Sequence, residues 1–389
     1  MKKKITSLFV LFLMLCQSGF CEDIFSAAGK KILRSQDGGK SWEAVWDSDM
    51  DSKIPGAFLT SITQGNGIIL AAGGTLVMSA DKGNTWKEVP IVGHTGSNNL
   101  LEKYLSHVCF GKGVFILAFP FHILYSSDGL NWRYIDKSKP SMLTASTAQE
   151  GASADGDKKK KGLGKGLGML KGDDKAQGSG SKTASSQANP AGLTNAMTFI
   201  KSPLKINFIN DRFFITGGNR SMEMVCLKID GTELKVEKVY DLYNEYGNAA
   251  TLGTGGLGNI ASDGKTLVVV AQGSSKTAFS ADGGASWKFF KNPGEMQTQS
   301  VAFGKGLYVG VNQFGDVLTT PAAEISKGWV NKAKFSSRTS VANQVIFYKD
   351  RFYVFCHNAE VFSSTDGKTW NRLTEGINVG TNFYEVIFL

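Results

Sequence analysis

The side chains with chemical potential in this sequence are carboxylates, a few tyrosines and arginines, and scattered histidines and thiols. Asp47, Asp49 and Asp51 alternate with other residues, which is how an oxygen-donor calcium loop opens. Ser52 stands where such a loop turns on glycine, and no glutamate follows at the twelfth position, so the triplet reads as a solvated acidic turn. Asp51, Glu102, Glu245 and Glu375 could supply an acid–base pair for hydrolysis, but their spacing singles out no two of them. Tyr243, Glu245 and Tyr246 could stack on a sugar ring or pack a channel rim. Arg338 could fork a carboxylate. His94, His107, His122 and His357 lie far apart, and His107 with Cys109 on one strand face makes two ligands without a third. No metal and no cofactor is therefore expected. Cys109, Cys226 and Cys356 each sit in an apolar, strand-like run and read as buried small hydrophobes.

The elements that would position these groups come from a repeat. It reads Ser35-Gln-Asp37-Gly-Gly39-Lys-Ser41-Trp42, then Ser79-Ala-Asp81-Lys-Gly83-Asn-Thr85-Trp86. It returns as Ser126-Ser-Asp128-Gly129-Leu-Asn131-Trp132, as Ser280-Ala-Asp282-Gly-Gly284-Ala-Ser286-Trp287, and as Ser364-Thr-Asp366-Gly367-Lys-Thr369-Trp370. The Asp side chain can accept hydrogen bonds from N–H groups of its own turn, and the Gly allows a backbone a Cβ would hinder. The Ser or Thr ties the turn a second time, and the Trp should bury its ring. These are structural tasks. Ahead of each box lie two apolar strands joined by a Gly, Asn or Asp turn, as in Val108-Cys-Phe110-Gly-Lys-Gly113-Val-Phe115, the signature of a hairpin.

The box resembles the Asp-box (BNR repeat) of sialidases and related β-propellers, and the likeness spans nearly the whole chain after its N-terminus. Spacing counts the units. The box aspartates are 44 and 47 residues apart at first, and the last gap, 84, is two units, so a worn box falls near residues 319–329. The remaining gap holds one more unit over 206–239, with a worn box at Asp230-Gly231, plus an insertion. The first unit lacks its leading strand, and a lone apolar strand over 383–389 can complete it. The expectation is an all-β, seven-bladed β-propeller of four-stranded antiparallel blades, closed by the C-terminal strand.

Domain organisation follows. Lys2, Lys3 and Lys4 ahead of an apolar run from Ile5 to Leu15 mark residues 1–21 as a secretory signal peptide, too short to span a bilayer. A secreted or periplasmic protein is expected; Cys16 and Cys21 leave a lipoprotein signal as the rival. Blades 1–3 occupy 22–140 and blades 4–7 with the closing strand occupy 198–389. Between them, 141–197 is rich in Gly, Ser, Ala and Lys and is read as a disordered insertion. Its stretch 158–171 has basic residues around Leu163, Leu167 and Leu170, a weak anionic-surface contact opposed by its glycines. The formal net charge is +9, but 1–21 and 150–182 carry much of it, so the body is nearly neutral and lacks the cationic footprint of a nucleic-acid binder.

Two functions remain open. The sialidase likeness implies a carboxylate-holding arginine triad, including an Arg-Ile-Pro motif, with a Tyr–Glu nucleophile pair. Arg-Ile-Pro is absent, and only Arg220 and Arg338 lie outside box or hairpin segments. A xyloglucanase-like carboxylate pair is the hydrolase alternative. The favoured expectation is a monomeric, exported, non-catalytic binding or scaffold module for a protein or glycan ligand, similar to photosystem II assembly-factor-like and sortilin-like propellers. Its ligand face is expected opposite the boxes, where the blades are joined: residues 47–51, 94–103, the 141–197 insertion, 241–258 and 373–382.

Overall fold

The computed structural model describes residues 23–51, 55–89, 91–92, 105–120, 122–135, 143–144, 203–217, 222–231, 233–242, 256–336, 341–374 and 381–389. Seven four-stranded antiparallel sheets form a ring, a seven-bladed β-propeller. The inner strands of blades 2 to 7 are Leu59–Gly65, His107–Gly111, Pro203–Ile209, Leu257–Ser262, Ser300–Gly304 and Ala342–Tyr348. Blade 1 takes its inner strand from the chain's other end: Glu385–Phe388 pairs with Ile24–Ala28, Ile24 opposite Phe388 and Ala27 opposite Glu385. This closure supplies the blade's fourth strand and covers the inner edge of Ile24–Ala28.

Strand polarity sorts the connections. Within each blade the strands alternate in direction, so the turn after the inner strand and the turn before the outer strand share one face. The blade-to-blade connections leave from the other. Side-chain bonds agree: Asn66, in the first turn of blade 2, donates to the carbonyls of Gly113 and Ser127, in the first turn and the box of blade 3.

Five of the first turns are tight because both central residues take positive φ. They are Asn66-Gly67, Lys112-Gly113, Asn210-Asp211, Lys305-Gly306 and Lys349-Asp350, the type I′ geometry that matches strand twist. Aromatic residues flank four of these turns as directly opposed pairs: Phe110–Phe115, Phe208–Phe213, Phe303–Tyr308 and Phe347–Phe352, with ring centroids 4.7–5.0 Å apart. Beside three of these aromatics, the preceding blade's inner strand carries a glycine. A Cβ on Gly65 would sit 2.1 Å from the Phe110 ring, with Gly111–Phe208 and Gly304–Phe347 alike. Each of these blades therefore wedges a phenyl ring into its predecessor.

The worn boxes are worn differently. In blade 4 the strands Glu223–Asp230 and Glu233–Asp241 meet in a short turn at Gly231. In blade 6 a 3₁₀ turn, Ala322–Lys327, replaces the box and delivers Trp329, whose Nε1 donates to Thr277 and Asn292 of blade 5. Leu143–Thr144, within the stretch read as an insertion, pair antiparallel with Ile91–Val92. The rest of 141–197 and all of 1–21 lie outside the described residues.

Candidate functional site

Each of the five boxes is a closed hydrogen-bond unit. The Ser hydroxyl donates to the Asp carboxylate at 2.7–2.9 Å and accepts the backbone N–H of Gly39, Gly83, Gly129, Gly284 or Gly367 at 2.7–2.9 Å. The carboxylate also takes the backbone N–H of Ser41, Thr85, Asn131, Ser286 or Thr369. Those residues' side chains donate to its second oxygen, Asn131 through its amide. These bonds hold the carboxyls below the usual range. Asp81 falls to about 2, chiefly through the Thr85 hydroxyl, and Asp366 to about 2 through the Thr369 N–H. For Asp128 burial pushes upward, but the bonds from Asn131, Leu130 and Ser126 outweigh it and bring the carboxyl to about 2. Asp37 and Asp282 are lowered as well.

The indole N–H of Trp42, Trp86, Trp132 and Trp370 donates to the box glycine's carbonyl at 3.0–3.2 Å. Trp287 differs: its Nε1 is buried without a partner. The rings reach backward around the disc. Trp42 meets Phe355 and Phe383, Trp86 meets Phe25, Trp287 meets Tyr240, and Trp370 meets Phe335. Full burial was expected of all five, but only Trp132 reaches it, at 1% exposure. The others are half-buried, since blades splay apart toward the rim. Box glycines press on the same seam: a Cβ on Gly83, where φ is +83°, would lie 2.3 Å from the Phe25 ring of blade 1.

The expected ligand face is only partly described. Asp47 and Asp49 do not face a common centre. Asp47 pairs with Lys31 at 3.5 Å and accepts the N–H of Asp49, while Asp49 pairs with Lys30 at 3.0 Å. Asp51 ends the one-turn helix Ser48–Asp51. Glu102, Tyr243, Glu245, Tyr246, Arg338 and Glu375 lie outside the described residues. Cys226 and Cys356 are buried and Cys109 partly so; all three are free thiols. Burial raises each, Cys226 to about 12, so none is a ready nucleophile.

The central channel was not singled out in the sequence. On the side of blades 4 to 7 it opens into a cavity of about 440 Å³, with Phe208, Ile209, Phe303 and Phe347 toward the box face and Asn259 and Gln344 deeper. Farther in, Lys205 of blade 4 reaches to blade 1, donating to the Tyr384 carbonyl at 3.1 Å and lying 3.8 Å from Glu385. Burial, with the charge of Lys205 as the smaller cause, brings His107 down to about 3, so its ring is neutral at pH 7.

No protein-family model matches the chain, and no curated protein matches it. Solved structures do. YCF48 from Cyanidioschyzon merolae is similar at 14% identity and a TM-score of 0.51, over 85% of this chain and 88% of that one. A structure of YCF48 bound to D1 peptide is 11% identical, with a TM-score of 0.49, over 86% and 87%. Apo AztD from Citrobacter koseri is 9% identical, with a TM-score of 0.46, over 94% and 97%. At such identities the likeness speaks to the β-propeller fold alone.

Proposed function

We propose that this chain is an exported, non-catalytic β-propeller of the Asp-box type that binds a protein or peptide at the end where its blades are joined. The observation that carries this reading is how its carboxylates are employed. The five box aspartates are saturated by their own turns, and Asp47 and Asp49 are paired with lysines. Glu385 is engaged by Ser61 and the Ile62 N–H. A rigid disc in which these acids serve its own architecture suits recognition through connecting segments. Export rests on the basic and apolar N-terminus, and mass spectrometry of the N-terminus in an expressing cell checks it.

The functional test is a peptide-display selection against the purified chain, followed by affinity measurement for Tyr246→Ala with Glu245→Ala and for Lys40→Ala on the box face. Binding should weaken at least tenfold, about 1.4 kcal/mol, in the first variant and stay unchanged in the second. Turnover of fluorogenic sialosides or β-glucans above a mock preparation would overturn the non-catalytic reading. Peptides that bind both variants like the parent would overturn the choice of face.

A further inference from the structure

The inner strands carry a belt of polar side chains around the channel. Ser61 accepts the Val108 N–H at 3.0 Å and donates to the Val108 carbonyl. Asn259 holds Val301 in the same two ways, at 2.9 and 2.6 Å. Ser300 accepts the Val345 N–H, Gln344 the Val386 N–H and Glu385 the Ile62 N–H. One rule covers all five: each side chain holds the residue that follows the next blade's belt position. The rule places His107 and Lys205 at the two remaining positions, in blades 3 and 4. Their targets would be Ile206 and Ile260.

These two positions break the pattern. Lysine has no acceptor to offer the Ile260 N–H, and Lys205 instead crosses the channel to the Tyr384 carbonyl. Its 3.8 Å separation from Glu385 is too long for a hydrogen bond. His107, 7% exposed, has its Nδ1 buried without a partner. Asn207, two residues beyond Lys205 and on the same strand face, has a buried Nδ2 without a partner. Where five blades present oxygen acceptors bonded to the next blade, this sector presents a cation, an unpartnered amide nitrogen and an unpartnered imidazole nitrogen.

We propose that the channel sector formed by Lys205, Asn207 and His107 binds a small oxyanion, a carboxylate or a phosphate, whose oxygens complete the belt. Glu385 is the internal precedent: its carboxylate already accepts from the Ser61 hydroxyl and the Ile62 N–H between blades 1 and 2. A ligand oxygen would do the same for blades 4 and 5. Lys205, 17% exposed, supplies a charge in a setting where solvent screening is weak. The cavity lined by blades 4 to 7 reaches belt residues Asn259 and Gln344, and Ile260, whose N–H the ligand would satisfy, lines it too.

The experiment is calorimetric titration of the full chain with inorganic phosphate and, separately, with acetate. At least one should bind with a stoichiometry of one, and the two arms separate a phosphorylated or inorganic source from a carboxylate. Lys205→Met should weaken that binding at least tenfold, about 1.4 kcal/mol, and Lys205→Arg should retain it. Asn207→Leu, which removes a donor and leaves the charge, should weaken it as well, and decides the matter if Lys205→Met does not fold. No heat from either anion up to tens of millimolar, or binding that both Lys205→Met and Asn207→Leu leave unchanged, would overturn the proposal.

Discussion

Replacing Gly83 with alanine isolates the part a box plays between blades. Two costs arise. The backbone there is left-handed, φ +83°, and a Cβ in that region costs about 1–2 kcal/mol. The new methyl would also lie 2.3 Å from the Phe25 ring, which is fully buried in blade 1. Overpacking of this kind adds about 1–3 kcal/mol. Gly38→Ala supplies the control, since Gly38 has φ +77° and nothing within 4 Å of the Cβ position. It should lose only the backbone part. Urea unfolding followed by tryptophan fluorescence should therefore place Gly83→Ala about 2–5 kcal/mol below the parent and Gly38→Ala about 1–2 kcal/mol below. Equal losses in the two variants would refute the claim that the box is pressed against the preceding blade, because strain alone would then account for both.

Trp132→Ala should cost about 3–5 kcal/mol, because Trp132 is 1% exposed and its indole N–H is bonded to Gly129; Trp86→Ala, half-buried, should cost less in the same urea series. Stability should fall on acidification between about pH 4 and pH 2: Asp81, Asp128 and Asp366 drop from 3.8 to about 2 on folding, so their contribution is present above the unfolded value and disappears as protons bind below it. A urea midpoint that stays flat through that range would contradict the assignment. Removing residues 384–389 deletes the inner strand of blade 1 and the Glu385 contacts to Ser61 and Ile62; calorimetry should show the single cooperative transition lost, and a truncated chain that melts like the parent would mean the ring does not depend on closure.

What was legible in the sequence follows from which contacts need particular residue types. A box needs a Ser hydroxyl, an Asp carboxylate, a glycine and an indole at fixed offsets, because every bond in it is local. Five copies therefore stand out by composition, and their spacing counts blades even where blade 4 has shrunk its box to a turn at Gly231. The closing strand is legible because its apolar run has no partner nearby in sequence. The channel belt obeys the opposite logic. Its bonds run between blades, from Ser61 to Val108 or from Gln344 to Val386, and any side chain with a correctly placed oxygen can make them. Ser, Asn, Gln and Glu all serve, so no single residue type marks the position and no motif forms. Only the register against the next blade reveals that His107 and Lys205 occupy belt positions, the lysine with no acceptor to supply and the imidazole with its Nδ1 unpartnered. The connecting segments offered still less, because topology chose the segments while nothing periodic chose residues within them. Asp47 and Asp49 show the consequence: their spacing is that of an opening calcium loop, read as a solvated acidic turn, and with the outer strand of blade 1 ending at Asp47 the two carboxylates pair separately with Lys31 and Lys30.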